Sequence, residues 1–443
     1  MNGVGALFSG SGLRARSMRS AGYTVFRVGA FKGLQLASNL ILTRILFPEA
    51  FGLMALVTVF VGGLSMISDV GIRPAMIRSP RAEEAIFQST TWTLQIVRGV
   101  VLMMLAFALA WPYAQIYDEP MIVPLVSVMA VTTLLAGFES IEVVLRERAL
   151  NIGRVVAMHI GSKLFSVVIT VFLAWQLQSV WALVWGAIAG GVFKTVMSHV
   201  LFPSPNHRLA WNKGVLSEIL VFGRWIMLAT LLTYMGGKGL QAVQGALVDL
   251  ETLAFLVIAD QFGWMIGELA LAVLTGVAFP ALSQIYRERR EDFARAVVRI
   301  HRLQILCTLP AFLVLSIIAE PLIGVLYDAR YVSAGFYLSL IALNGAIAMV
   351  PMVFSNMLLA TGDSRTYSAL AGASAVVRIL GTVVGFLIGD VTGLLVGLGL
   401  ASLVTTALTV SIAMRRNISD LKTVLPALGI IVLVYALQLK GFM

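Results

Sequence analysis

Residues 372–389 read GASAVVRILGTVVGFLIG, a run long enough to cross the hydrocarbon core of a bilayer as one helix. Apart from Arg378, every position is apolar or small. A charge held at mid-membrane costs at least about 2.5 kcal/mol, so a guanidinium here calls for a physical reason. Similar apolar runs recur from one end of the chain to the other. The 443 residues are 59% hydrophobic and only 12% charged, with a mean hydropathy of +0.92. Soluble chains carry about 25% charged residues. These figures define an all-α integral membrane protein with many spans. A transmembrane β-barrel is excluded, because its strands alternate apolar and polar residues and these runs do not.

Windows of about twenty residues place spans at 22–44, 51–71, 90–111, 121–143, 155–176, 178–201, 217–238, 253–279, 303–325, 335–359, 367–389 and 391–413, with a shorter thirteenth run at 424–438 that contains Pro426. The predicted organisation is a cytoplasmic tail over 1–20, a six-helix lobe over 21–201 and a cytoplasmic linker over 202–216. A second six-helix lobe covers 217–413, and 414–443 holds a loop and the short extra segment. The first twenty residues are rich in Gly, Ser and Arg and run into a full-length span with no small-residue cleavage site. A cleaved signal peptide is therefore not expected.

Lysine and arginine alternate by loop. One side collects 22 of them and the other only Arg44, Lys238, Arg330 and Lys440. The excess marks the cytoplasmic side and puts the N-terminus there. It also accounts for most of the net charge of +10, so no nucleic-acid partner is expected. The charged stretch 286–302, YRERREDFARAVVRIHR, is expected to lie as a helix along the membrane surface.

Six cations remain inside the spans: Arg27, Lys32, Arg98, Lys163, Arg224 and Arg378. All fall on odd-numbered spans, roughly 9–18 Å from the cytoplasmic end at 1.5 Å per residue. The shallower ones can snorkel to the headgroups; Lys32, Lys163 and Arg378 sit too deep for that. Asp260, Glu268, Glu139 and Glu142 are the available intramembrane acids. They are fewer than the cations, and a wet cationic cavity explains the surplus better than lipid exposure does. Each cation also has a plain structural reading as one half of a buried ion pair. His159 lies one turn before Lys163 and shares its face. With Asp260 and Glu268 it forms the set of candidate ion-coupling residues.

The halves of the chain are related. LFPEAFGLMALV at 46–57 aligns with VDLETLAFLVIA at 248–259, and SKLFSVVITVF at 162–172 aligns with VRILGTVVGFL at 377–387. The second match sets Lys163 against Arg378. Six helices return a chain to its starting side, so these are parallel repeats, the arrangement that places transporter substrates at the repeat interface. Catalytic signatures are missing: there is no phosphate-binding glycine loop, no metal-type spacing among the four histidines, and a single cysteine, Cys307. The expectation is a non-enzymatic transporter without cofactor or metal.

The stretches LTRILFPEAFGLMALVTVF (42–60) and SDVGIRPAMIR (68–78) resemble the N-terminal signature of Wzx-type polysaccharide flippases, in the multidrug/oligosaccharidyl-lipid/polysaccharide exporter superfamily. So do FPALSQIYRERREDF (279–293), EPLIGVLYDARYVSAG (320–335) and MLLATGDSRTYSAL (357–370) farther on. The resemblance implies two lobes forming a V around a central cavity. It also implies alternating access across the bacterial inner membrane and an undecaprenyl-diphosphate-linked oligosaccharide as substrate. Members often have fourteen spans, one more than this chain. In that reading Lys163, Arg378, Arg224, Lys32, Arg98 and Arg27 bind the diphosphate and anionic sugars. Membrane lipids, a polysaccharide polymerase and glycosyltransferases are the expected partners. A lipid II flippase and a cation-coupled multidrug exporter are the rival transport functions. The exporter calls for an acidic cavity, and a membrane glycosyltransferase calls for a long external loop that this chain lacks.

Overall fold

The computed structural model describes residues 13–68, 71–418 and 420–442. Among them there are helices and turns and no strands. The contacts divide the chain into two compact units, Met1–Tyr234 and Met235–Met443.

The first unit contains α1 (Leu13–Ile45), α2 (Pro48–Ile67), α3 (Ile72–Arg78), α4 (Ala85–Ile116), α5 (Ile122–Met129), α6 (Val131–Gly137), α7 (Glu142–Arg148), α8 (Gly153–Leu177), α9 (Trp181–Leu201) and α10 (Lys213–Tyr234). Pro48 opens α2 and Glu49 sits in its first turn. A proline there wastes no hydrogen bond, and a carboxylate complements the positive end of the helix. The fourth predicted span, 121–143, is not one rod: α5–α6 and α7 meet at 62°. Gln95 caps the carbonyls exposed by that break, with Nε2 donating to Ala136, Gly137 and Glu139 at 3.0–3.1 Å. A side chain on Gly99 would meet the Thr133 carbonyl at 2.8 Å, so only glycine lets α4 approach α6 this closely. The connection after α9 is strapped to α4, where Ser89 Oγ donates to the Asn206 carbonyl and the Ala210 amide donates to Thr93 Oγ1.

The second unit begins with a π-helical turn, Met235–Gly239, that continues α10 into α11 (Leu240–Leu247). It goes on through α12 (Leu250–Gly263), α13 (Met265–Val273), a second π turn, and α14 (Phe279–Glu288). Then follow α15 (Phe293–Leu326), α16 (Val332–Met349), α17 (Met352–Ala360), α18 (Ser364–Arg415) and α19 (Leu421–Phe442). Asp249 caps α12 by accepting from the Thr252 amide at 2.7 Å. Its largest core cluster gathers side chains of α15, α16, α17 and α19, with Phe312, Val353 and Ile431 fully shielded. The 52 residues of α18 would be about 78 Å long as one helix, more than twice a bilayer core. Non-helical torsions at Gly389 and Asp390 fold it into two crossings, at the predicted boundary between spans. Cβ atoms at Gly385 and Gly397 would lie 2.1 Å from the Gly393 oxygen and 2.0 Å from the Gly381 oxygen. The two crossings therefore pack backbone against backbone.

Among the described residues nine helices are long and apolar enough to cross a membrane, or ten when the bent α5–α7 pair counts as one span. Each of the thirteen predicted runs overlaps helix among the described residues, the last the 22 residues of α19. α1 is too polar to enter the nine, with Arg27, Lys32, Gln35 and Asn39 inside it. The expected surface helix over 286–302 takes another form: α14 ends at Glu288, and Phe293 starts the unbroken α15.

Candidate functional site

Four of the predicted residues gather on one pair of helices in the first unit. α1 and α8 pack side by side, and the Tyr23 ring lies against Gly153. Arg27 interacts electrostatically with His159. Both contacts set the two helices parallel, offset by about 130 residues, and continuing that register puts Lys32 level with Lys163. Lys163 is half-buried in the middle of α8 and makes no hydrogen bond or ion pair among the described residues.

Beside this pair, a cavity of about 310 Å³ opens between α4, the α5–α7 break, α8 and α9. Arg98 and His159 line it, joined by Arg73, Lys194, Glu139 and Glu147. Lys194 Nζ donates to Glu139 Oε2 at 2.7 Å, and Arg73 bonds Glu147. Arg98 donates to Ser68 Oγ and to the Ser65 carbonyl, tying α4 to the end of α2. Lys194 is a cavity residue that the loop-by-loop charge count assigned to the cytoplasmic surface. Its position inside the predicted span 178–201 was the available signal.

In the second unit Asp260 on α12 interacts electrostatically with Lys238 and Arg378. Arg378 sits half-buried in the first crossing of α18, and its shielded Nε has no hydrogen-bond partner among the described residues. Lys238 was assigned to the external surface from the sequence. It lies exposed in the π turn, and its Nζ donates to Gln241 Oε1 at 2.7 Å. Glu268 lies past the Trp264 break on α13 and is exposed. The side chain of Arg224, on α10, lies outside the described residues.

Several cations outside the spans are paired with carboxylates: Arg81 with Glu84 at 2.9 Å, Arg146 with Glu142 at 3.0 Å, Arg302 with Asp420 at 3.0 Å and Arg416 with Asp363. Inside the spans, Lys163 makes no ion pair among the described residues, and Arg378 has Asp260 as an electrostatic neighbour without a direct salt bridge. Removing a charge from water without a partner is the more expensive arrangement. A cation within a span that makes no ion pair, as Lys163 does among the described residues, is therefore a candidate position for an anionic ligand.

Fold and composition together describe a polytopic helical membrane protein. Residues 41–335 match the family described as "Polysaccharide biosynthesis protein", and the chain belongs to that family. The succinoglycan biosynthesis transport protein ExoT of Rhizobium meliloti (strain 1021) is 23% identical over 331 residues, 74% of this chain and 66% of that one. The lipopolysaccharide biosynthesis protein WzxC of Escherichia coli (strain K12) is 19% identical over 356 residues, 79% of this chain and 70% of that one. The match therefore spans about two thirds of the length of either relative. Two solved structures share the fold. Lipid II flippase MurJ in an inward closed conformation has a TM-score of 0.69 at 13% identity, covering 95% of this chain and 92% of that one. An inward-facing multidrug resistance MATE family transporter of the MOP superfamily has a TM-score of 0.63 at 15% identity, covering 88% and 97%.

Proposed function

We propose that the protein is a flippase. It moves undecaprenyl-diphosphate-linked oligosaccharide repeat units from the cytoplasmic to the periplasmic leaflet of the bacterial inner membrane, by alternating access between two six-helix lobes. The N-terminus is cytoplasmic, and the protein performs no chemistry on its cargo. The observation that carries this reading is a mid-span cation in each unit: Lys163, which makes no ion pair among the described residues, and Arg378, whose shielded Nε has no hydrogen-bond partner there and which has Asp260 as its electrostatic neighbour. A lipid-linked diphosphate is a dense anion on a long apolar tail. A guanidinium binds phosphate through two parallel N–H bonds and an ammonium binds it as a point charge. The tail stays in lipid while the headgroup exchanges water for these donors. The family match and the names of both curated relatives support a polysaccharide precursor as cargo. A multidrug exporter of cationic compounds is disfavoured, since its site would need surplus carboxylates.

The test is polysaccharide export in cells whose only copy of the gene carries Lys163→Ala with Arg378→Ala. Export falls to background while the protein remains in the membrane at wild-type amount. Arg378→Glu is worse than Arg378→Ala, because a carboxylate repels the diphosphate. Normal export by the double variant overturns the proposal.

A further inference from the structure

A second basic site lies at the N-terminal end of α15, away from the mid-span cations. Arg295, Arg299 and Arg302 sit at i, i+4 and i+7, and so share one face of the helix. With Asn417 and Ile418 from the α18–α19 connection they line a groove of about 400 Å³.

The groove is built from behind. Arg302 Nε and Nη2 donate to Asp420 Oδ1 at 3.1 and 3.0 Å. Asp420 is only 3% exposed, although the arginine it holds is 57% exposed at its side chain. The other oxygen, Asp420 Oδ2, lies 2.8 Å from Nδ1 of His301, which is fully buried. His301 Nε2 in turn donates to the Val350 carbonyl at 3.1 Å, at the break between α16 and α17. A chain of buried groups thus fixes one surface guanidinium, an arrangement that a charge serving only to set topology does not need. Arg295 bonds Asp292, whereas Arg299 is exposed and has no carboxylate partner among the described residues. The groove therefore keeps a net positive charge after its ion pairs are made.

Its depth indicates what it receives. α15 has 34 residues and is about 51 Å long, against a hydrocarbon core of about 30 Å. With the apolar stretch 303–326 in the core, the arginine face stands at headgroup level, and Ala294, Val298 and Ile418 supply apolar wall beside it. We infer that this groove is a loading site that holds the diphosphate of a lipid-linked substrate at the inner leaflet before the headgroup reaches the mid-span cations. The inference rests on the proposed function for the identity of the lipid. The chemistry recognised is a phosphate or diphosphate group, and the planar forks of Arg299 and Arg302 suit its oxygens.

The test uses the full-length protein in phosphatidylcholine nanodiscs, with three probes: undecaprenyl diphosphate in the bilayer, inorganic diphosphate in solution, and phosphatidylglycerol in the bilayer. Arg299→Gln is expected to weaken undecaprenyl diphosphate binding about tenfold, and Arg295→Gln with Arg299→Gln further, as for the loss of charge-assisted bonds. Arg299→Lys recovers part of the loss. Phosphatidylglycerol does not compete, and inorganic diphosphate binds more weakly than its lipid-linked form. In proteoliposomes the variants raise the half-saturating substrate concentration. Unchanged binding by the double variant, or full competition by phosphatidylglycerol, overturns the loading site. A fall in maximal transport rate with unchanged half-saturation does so as well. If the wild type binds undecaprenyl diphosphate through these arginines but translocates nothing, the flippase reading fails and the binding site stands. If the wild type translocates and the double variant matches it, the loading site alone fails.

Discussion

Lys163→Met separates a binding role from a packing role, because the two predict opposite signs for stability. A lysine at the centre of a spanning helix costs about 2.5–3.5 kcal/mol on insertion scales. Lys163 is half-buried and recovers none of that cost from a partner among the described residues. Methionine matches its length and flexibility without the charge. Allowing for partial exposure, the substitution should stabilise the protein by about 1–2 kcal/mol, or raise Tm by about 1–3 °C for a chain of this size. Lys194→Met is the matched control. It breaks the 2.7 Å pair with Glu139, whose side chain is 18% exposed, and leaves a carboxylate inside the cavity. That change should cost about 2 kcal/mol. Both are read from thermal unfolding of detergent-purified protein alongside polysaccharide export. Lys163→Met is expected to unfold at higher temperature while losing export. If it lowers Tm as Lys194→Met does, Lys163 is a structural element and the reasoning from uncompensated charge is refuted.

Gly385→Ala should destabilise by about 3 kcal/mol or block folding, since its Cβ would stand 2.1 Å from the Gly393 oxygen and neither backbone can yield. Gly372→Ala, with nothing within 4 Å of its Cβ, should be neutral or stabilise by up to about 1 kcal/mol; equal effects at the two positions in thermal unfolding would contradict the backbone-to-backbone packing of α18. Asp363 caps α18 by accepting from the Thr366 amide and hydroxyl, and these bonds with the Arg416 guanidinium hold its carboxyl down to about 2. A depressed carboxyl stabilises the fold above its unfolded value, near 4, and that contribution disappears as the pH falls toward about 2. A Tm series across this range should slope for the wild type and flatten for Asp363→Asn; identical slopes would remove the cap from the account.

The spans were legible because lipid demands long apolar runs whatever the tertiary structure, and even the break at Gly389 and Asp390 coincides with the boundary read between 367–389 and 391–413. The break at residues 138–141 was not legible. Its signal is tertiary: Gln95, more than forty residues earlier, caps the carbonyls that a continuous helix would have bonded internally. Lys194 was placed at the surface because a cation near the end of an apolar window fits either a loop or a span. Only the pairing of Lys194 with Glu139 decides it. Glu139 was a candidate counter-charge for the deep cations, and its oxygen is instead committed to Lys194. The surplus of deep cations was visible by counting. Which of them lack partners was not, since that depends on the neighbours each helix face meets.

The central claim is that Lys163 and Arg378 bind the diphosphate of a lipid-linked oligosaccharide during its passage across the membrane. The most direct measurement is translocation of undecaprenyl-diphosphate-linked oligosaccharide in proteoliposomes, comparing wild type with the Lys163→Ala, Arg378→Ala double variant at equal incorporation. The account predicts transport by the wild type and a loss of at least about a hundredfold in the double variant, one factor of ten for each charge-assisted contact. Equal rates for the two proteins would contradict it.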